Sequence, residues 1–216
     1  MRSNKKCLDR AKLYLILDAQ VNSHHQLLDI LKRSLRGGVD IVQLRDKSGS
    51  AKDIADFTKE AMTIAGRKVP FIVNDRVDLA MWTGASGVHL GQEDIPLVWA
   101  RKMLGTRKII GVSCQTLEHA RRAQKDGADY IGFGSVFKTQ TKPGRSPMDL
   151  ELLKKVVREI KVPVFAIGGI TSENIMQLRG IGVQRVAVCR EICLAKNVSE
   201  ITQILKQVCL KDGLHR

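Results

Sequence analysis

Eight short, nearly uninterrupted apolar runs recur along the chain, each followed by a stretch of helical periodicity. No other feature restricts the fold as much. The runs occupy residues 13–17, 39–44, 70–73, 87–90, 108–112, 130–132, 164–167 and 186–189. The helical patterns cover residues 26–36, 51–65, 77–82, 97–104, 117–125, 149–159, 173–179 and 200–210, with Thr116, Ser172 and Ser199 placed as caps. Strands that are apolar throughout belong to a parallel sheet buried on both faces. Strand–helix alternation leaves a (β/α)8 TIM barrel or a doubly wound open sheet. No G-x-G-x-x-G follows the first run, which counts against the dinucleotide-binding open sheet. The expectation is an α/β fold, a single (β/α)8 barrel domain over residues 1–216, with a loose tail from about residue 211.

Composition excludes several classes. No apolar run reaches the ~18 residues that a membrane span needs. The basic N-terminus lacks a signal-type apolar core, so a cytoplasmic protein is expected. The formal net charge of +14 favours acidic partners. The cations are scattered, however, and only two Trp and two Tyr are available for base stacking, so phosphorylated small molecules are expected rather than nucleic acid. The reason for so large a charge and the oligomeric state, including homo-oligomerisation, stay open at this level. Five cysteines (Cys7, Cys114, Cys189, Cys193, Cys209) without a C-x-x-C motif indicate reduced, structural thiols. Cys189 and Cys193, four residues apart, can share a helix face.

In a barrel, chemistry sits at the carboxyl ends of the strands. Gln43-Leu-Arg-Asp-Lys47 stands at the end of the second run. If the strand persists, Gln43, Arg45 and Lys47 point the same way, and two cations beside an amide suit a diphosphate. Asp75 and Asp94 follow the third and fourth runs. Each alone reads as a helix cap. As a pair opposite a basic strand end they read as Mg²⁺ ligands, since that ion takes carboxylates and phosphate oxygens. Ser113 follows the fifth run. A long polar loop, residues 134–144, follows the sixth, and its Thr139, Thr141 and Lys142 offer donors to an anion. Gly168-Gly169-Ile170-Thr171 after the seventh run, opening a helix, and Cys189-Arg190 after the eighth suit a monophosphate. No Ser-His-Asp or Cys-His arrangement is evident, and His89 reads as a packed strand residue rather than a base.

The set Gln43-Leu-Arg-Asp-Lys47, Val73-Asn-Asp75, Gly87-Val-His-Leu-Gly-Gln-Glu-Asp94, Gly111-Val-Ser113, Thr139-Gln-Thr-Lys142 and Ile167-Gly-Gly-Ile170 resembles the thiamine phosphate synthase family over roughly residues 13–192. The resemblance implies a (β/α)8 barrel. It implies an Mg²⁺-dependent transferase that couples 4-amino-2-methyl-5-hydroxymethylpyrimidine diphosphate to 4-methyl-5-(2-phosphoethyl)thiazole. Carried over, Gln43, Leu44, Arg45, Asp46, Lys47, Asn74, Ser113 and Lys142 would bind the pyrimidine diphosphate. Thr139, Gln140, Thr141, Gly169, Cys189 and Arg190 would bind the thiazole phosphate, and Asp75 and Asp94 the metal. Arg45, Lys47, Lys142 and Ser113 would carry catalysis. Two positions depart from the family pattern: Lys138 where proline is frequent, and Arg190 where serine is frequent. A related thiazole tautomerase usually has a histidine before the apolar pair of the sixth loop; this chain has Ser135 there.

Overall fold

The computed structural model describes residues 4–141, 144 and 146–210. Eight parallel strands close into a barrel in sequence order. They are β1 (Leu13–Asp18), β2 (Ile41–Arg45), β3 (Phe71–Asn74), β4 (Gly87–Leu90), β5 (Ile109–Cys114), β6 (Tyr130–Phe133), β7 (Val164–Ile167) and β8 (Val186–Val188). Around them run α1 (His24–Arg36), α2 (Ala51–Ala65), α3 (Val77–Thr83), α4 (Leu97–Leu104), α5 (Leu117–Lys125), α6 (Leu150–Glu159), α7 (Ile175–Gly180), a four-residue α8 (Arg190–Cys193) and α9 (Val198–Leu210).

The apolar runs are explained by two separate cores. Successive strand side chains point to opposite faces. Leu13, Leu15 and Leu17 of β1 pack outward with the helices, while Tyr14 and Ile16 fill the bore. The bore cluster continues through Ile41, Ile72, Ile109, Tyr130, Phe165 and Ala187. Leu8 and Ala11 belong to it as well, so the segment before β1 plugs the amino end of the barrel. A 3-10 turn at Asn4–Cys7 precedes this plug.

The rings of Tyr14, Tyr130 and Phe165 meet edge to face, with centroids 5.5–5.6 Å apart. Such contacts add about 0.5–1.5 kcal/mol each beyond area burial. Room for them comes from missing side chains. A Cβ on Gly111 would fall on the Tyr130 ring, and one on Gly132 would lie 3.3 Å from the His89 ring.

Caps depart partly from expectation. Thr116 caps α5 by accepting from the His119 amide. Ser23 and Gln26 form a reciprocal capping box on α1. Ser172 and Ser199 are not caps. The Ser172 hydroxyl donates to Glu191 at 2.8 Å, and that of Ser199, already inside α9, donates to the Arg33 carbonyl at 2.9 Å. The Asn197 side chain instead accepts from the Glu200 amide. The expected loose tail lies outside the described residues.

Gly111→Ala should lower the unfolding free energy by roughly 1–3 kcal/mol, as overpacking of a filled core does. Urea denaturation checks this, and an unchanged midpoint would mean that the bore is not closed by Tyr130.

Candidate active site

The bore ends above the aromatic rings, and a cavity of about 790 Å³ opens at the carboxyl ends of the strands. Its size falls in the range of small-molecule sites. Arg45, Asn74, Ser113, Thr139, Gln140 and Thr141 line it, together with Gly168, Gly169, Cys189 and Arg190. The sequence-selected strand ends therefore converge on one space. Lys47, Asp75 and Asp94 are not cavity walls; they stand beside it, after β2, β3 and β4.

β2 ends at Arg45, so Lys47 lies on the loop beyond it. Arg45 Nη1 donates to Asp18 Oδ2 at 2.9 Å and to Gln20 Oε1 at 2.7 Å. The Asp18 side chain is 1% exposed, so this guanidinium is anchored against a buried carboxylate. Two other residues of the motif face elsewhere. Leu44 belongs to the outer core. Asp46 accepts from the Ser48 and Gly49 amides and contacts His24 Nε2 at 2.9 Å, which stiffens the turn carrying Lys47. Burial raises the Asp46 carboxyl, but those amides and His24 outweigh it and leave it below its usual range.

Asp75 has φ 61°. That is the left-handed region, which Asp and Asn tolerate better than other side chains. Its amide donates to the His89 carbonyl at 2.8 Å, fixing the turn after β3 against β4. The carboxylate pairs with Lys47 and shares a hydrogen bond with Asp94. Burial, and then the neighbouring Asp94, raises the Asp75 carboxyl. For Asp94 burial also acts upward, but the bond to Asp75 and the Gly91 amide, 2.6 Å away, bring it below its ordinary value. Neither aspartate caps a helix through its side chain: the residue before α3 is Arg76, and the one before α4 is Pro96.

On the opposite side, the sixth and seventh loops are stitched together. The Val136 and Phe137 amides donate to the Ile167 and Gly168 carbonyls, each at 2.9 Å. Gly168 and Gly169 have φ 105° and 64°, and a Cβ on Gly169 would press on the Lys138 carbonyl. Glycine is required there by both conformation and space. The helix expected to open at this turn begins only at Ile175, so loop residues rather than the first turn of that helix line the cavity here. Glu191 accepts from the Ser172 amide and hydroxyl, which ties the seventh loop to the eighth. Lys142 lies outside the described residues.

None of the five cysteines is in a disulfide. The hydrogen bond with Cys193, then burial, pushes the Cys189 thiol far above its usual range, and burial pushes Cys114 up to about 12. Neither thiol supplies a thiolate nucleophile.

Sequence reasoning selected Gln43 and Ser113 but missed Tyr14 and Tyr130, which join them through His89 in a polar chain along the cavity lining. Gln43 Nε2 donates to the Tyr14 hydroxyl at 2.7 Å, which lies 2.7 Å from that of Tyr130. The Tyr130 hydroxyl is 2.9 Å from His89 Nδ1, and His89 Nε2 is 2.9 Å from Ser113 Oγ. His89 is packed, as expected, yet it touches a site serine. One signal was available: both tyrosines of the chain lie in predicted strands, and a buried phenol needs a partner.

Among known proteins, the chain is 41% identical over 197 residues to the thiamine-phosphate synthase of Ruminiclostridium cellulolyticum, covering 91% of this chain and 94% of that one. It is 40% identical over 203 residues to the thiamine-phosphate synthase of Methanobrevibacter smithii, covering 93% and 97%. The solved thiamine phosphate pyrophosphorylase of Pyrococcus furiosus superposes with a TM-score of 0.84 at 34% identity, over 95% of this chain and 96% of that one. The family model described as thiamine monophosphate synthase matches residues 13–192, from the first residue of β1 into α8. With barrel, strand-end residues and relatives in agreement, the chain belongs to the thiamine monophosphate synthase family.

Proposed function

We propose that this protein joins 4-amino-2-methyl-5-hydroxymethylpyrimidine diphosphate to 4-methyl-5-(2-phosphoethyl)thiazole, forming thiamine monophosphate and releasing diphosphate. The observation that carries this reading is the meeting of Lys47 with the Asp75–Asp94 pair beside Arg45, in a chain of this family. In this reading the whole chain is one barrel domain and a cytoplasmic enzyme of phosphorylated small molecules. Cysteines outside any disulfide fit a reducing compartment. No helix among the described residues is long and apolar enough to cross a membrane.

Asp75 and Asp94 fit Mg²⁺. Their oxygens are close enough to share a hydrogen bond, and this ion takes one or two carboxylates and completes its shell with water and phosphate oxygens. Among the described residues there is no cluster of three or more ligating side chains, which suits an ion held jointly by protein and substrate. When bound, Mg²⁺ supplies charge neutralisation on the departing diphosphate.

The protein's own part is grip and alignment. Asp18 and Gln20 hold the Arg45 guanidinium in place, so little ordering remains when it donates to diphosphate oxygens. Lys47 exchanges its partner Asp75 for the same oxygens. Asn74, Ser113 and Lys142 complete the pyrimidine end, and Gln43 supports it from the bore. Leu44 and Asp46 enter only through the backbone and the turn. The carbon–oxygen bond breaks with its electron pair going to diphosphate, and the aminopyrimidine spreads the positive charge left on the methylene. The thiazole nitrogen then forms the new carbon–nitrogen bond with its lone pair. No proton has to move, so no protein base is needed. Thr139, Gln140, Thr141, Gly169, Cys189 and Arg190 hold the thiazole phosphate, with Lys138 and Arg190 adding positive charge to the cavity wall. Ser135 donates its hydroxyl to the Phe137 carbonyl, which leaves no acid or base at the position that a tautomerase would use.

Incubation with both precursors should yield thiamine monophosphate and diphosphate with Mg²⁺ and neither without it; no product under either condition overturns the reading. Arg45→Ala would also strand the buried Asp18. Arg45→Lys is the cleaner variant. It should keep the pair but lower kcat/KM roughly tenfold or more by losing the fork. Asp75→Asn keeps a side chain suited to φ 61° and relieves the carboxylate–carboxylate contact. Its melting temperature should equal or exceed the parent's while turnover falls about a hundredfold, as loss of a metal ligand and its charge stabilisation implies. Calorimetry and steady-state kinetics together check it.

A further inference from the structure

We propose that the outer face of α3 and α4 joins this chain to a second copy of itself in a two-fold symmetric dimer.

Both tryptophans of the chain stand on this face. Trp82 on α3 is 57% exposed and Trp99 on α4 is 54% exposed. Met81, Val98 and Met103 on the same two helices, and Ile95 just before α4, are exposed as well. The two helices pack side by side. Six of the ten exposed large apolar side chains among the described residues are therefore gathered on neighbouring elements, while the other four are spread over the rest of the molecule. Single exposed apolar residues are ordinary; a gathering of them marks a contact surface. Trp and Met are also the types that concentrate at the centre of protein interfaces. Half-exposed side chains of this size present on the order of 600 Å² of apolar surface, the upper end for a monomer and close to the ~800 Å² that each partner buries in a stable complex.

Charge selects the partner. The chain carries +14, so copies of it repel one another over most of their surface. Residues 51–104, from the first residue of α2 to the last of α4, hold seven Lys and Arg against seven Asp and Glu, a net charge of zero. The whole excess lies elsewhere. Two copies meeting through α3 and α4 thus bring together the least repulsive part of the molecule. A nucleic acid or an anionic bilayer would be drawn to the basic remainder instead.

The edge of the patch suits self-pairing. An isologous contact presents the same surface from both sides, so its rim has to offer both signs of charge. Lys59 and Lys102 supply one sign; the exposed Asp78 and Glu60 supply the other. Lys59 Nζ lies 5.1 Å from the centre of the Trp82 ring and Lys102 Nζ 4.2 Å from that of Trp99. Long, flexible lysines cover the rings in the single chain and can swing to the rim when a second copy covers them. None of the side chains in the patch or its rim lines the cavity, so pairing leaves the mouth of the barrel open. The inference is independent of the reaction proposed above.

Because both tryptophans are on this face, intrinsic fluorescence reports on it alone. The test is sedimentation equilibrium of the whole protein from nanomolar to high micromolar concentration, with tryptophan emission and acrylamide quenching followed over the same range. The mass should rise from one chain to two, with emission moving to shorter wavelength and quenching falling in step. Trp99→Gln replaces a half-exposed side chain, keeps Trp82 as reporter, and should raise the dissociation constant about a hundredfold or more, since a symmetric dimer loses the anchor twice. A mass of one chain throughout overturns the proposal. So does a dimer whose tryptophans stay as quenchable as those of the single chain, which would place the contact on another face. A blue shift seen only when phosphatidylglycerol vesicles are added would assign the patch to a bilayer and overturn it too. An unchanged dissociation constant in Trp99→Gln has the same consequence, and the measurements on the unsubstituted protein decide even where that variant does not fold.

Discussion

Three aromatic rings set the level at which the barrel stops being core and becomes cavity. Tyr14, Tyr130 and Phe165 meet edge to face across the bore. Below them the plug of Leu8 and Ala11 closes the amino end. Above them the inward positions belong to Gln43, His89 and Ser113, residues with polar work to do. Had smaller side chains occupied these places, the bore would lack a floor and the strand ends would have nothing rigid to stand on. Glycines at 111 and 132 are the counterpart of this crowding.

On that floor the charges are arranged in opposition before any ligand arrives. Arg45 is clamped by Asp18, Lys47 by Asp75, and Asp75 is crowded by Asp94. The first pair is buried and permanent, because stranding Asp18 would leave an uncompensated charge. The second is half open and exchangeable. A site built this way is neutral enough to fold, and in the proposed reading its two cations and two carboxylates would meet a metal–diphosphate unit. The large net charge adds a general attraction for anions without contributing to fold.

The architecture was legible because strands buried on both faces read as continuous apolar runs, and because most helices here begin and end where periodicity and glycine say they should; α2, α4 and α5 match to the residue. What escaped was set by partners far along the chain. Ser172 and Ser199 look like caps locally, but Glu191 and the Arg33 carbonyl, 19 and 166 residues away, claim their hydroxyls. The four-residue α8 is too short to show a period. Arg45, Asp75 and Asp94 were legible as strand-end charges; that Asp18 and Gln20 of the neighbouring strand and its loop would hold Arg45 was not, since it depends on the register that sets Asp18 opposite Arg45. The Tyr14–Tyr130 contact spans 116 residues, and no local pattern announces it.

The central claim is that a metal-bound diphosphate lies between the Arg45–Lys47 cations and the Asp75–Asp94 carboxylates. A crystal structure with Mg²⁺ and a non-cleavable methylene analogue of the pyrimidine diphosphate tests it most directly. The account predicts an ion bound to both carboxylates and to analogue phosphonate oxygens, with Lys47 moved from Asp75 to the analogue. An analogue seated instead at the Gly168–Gly169 turn, with the Lys47–Asp75 pair intact, would contradict it.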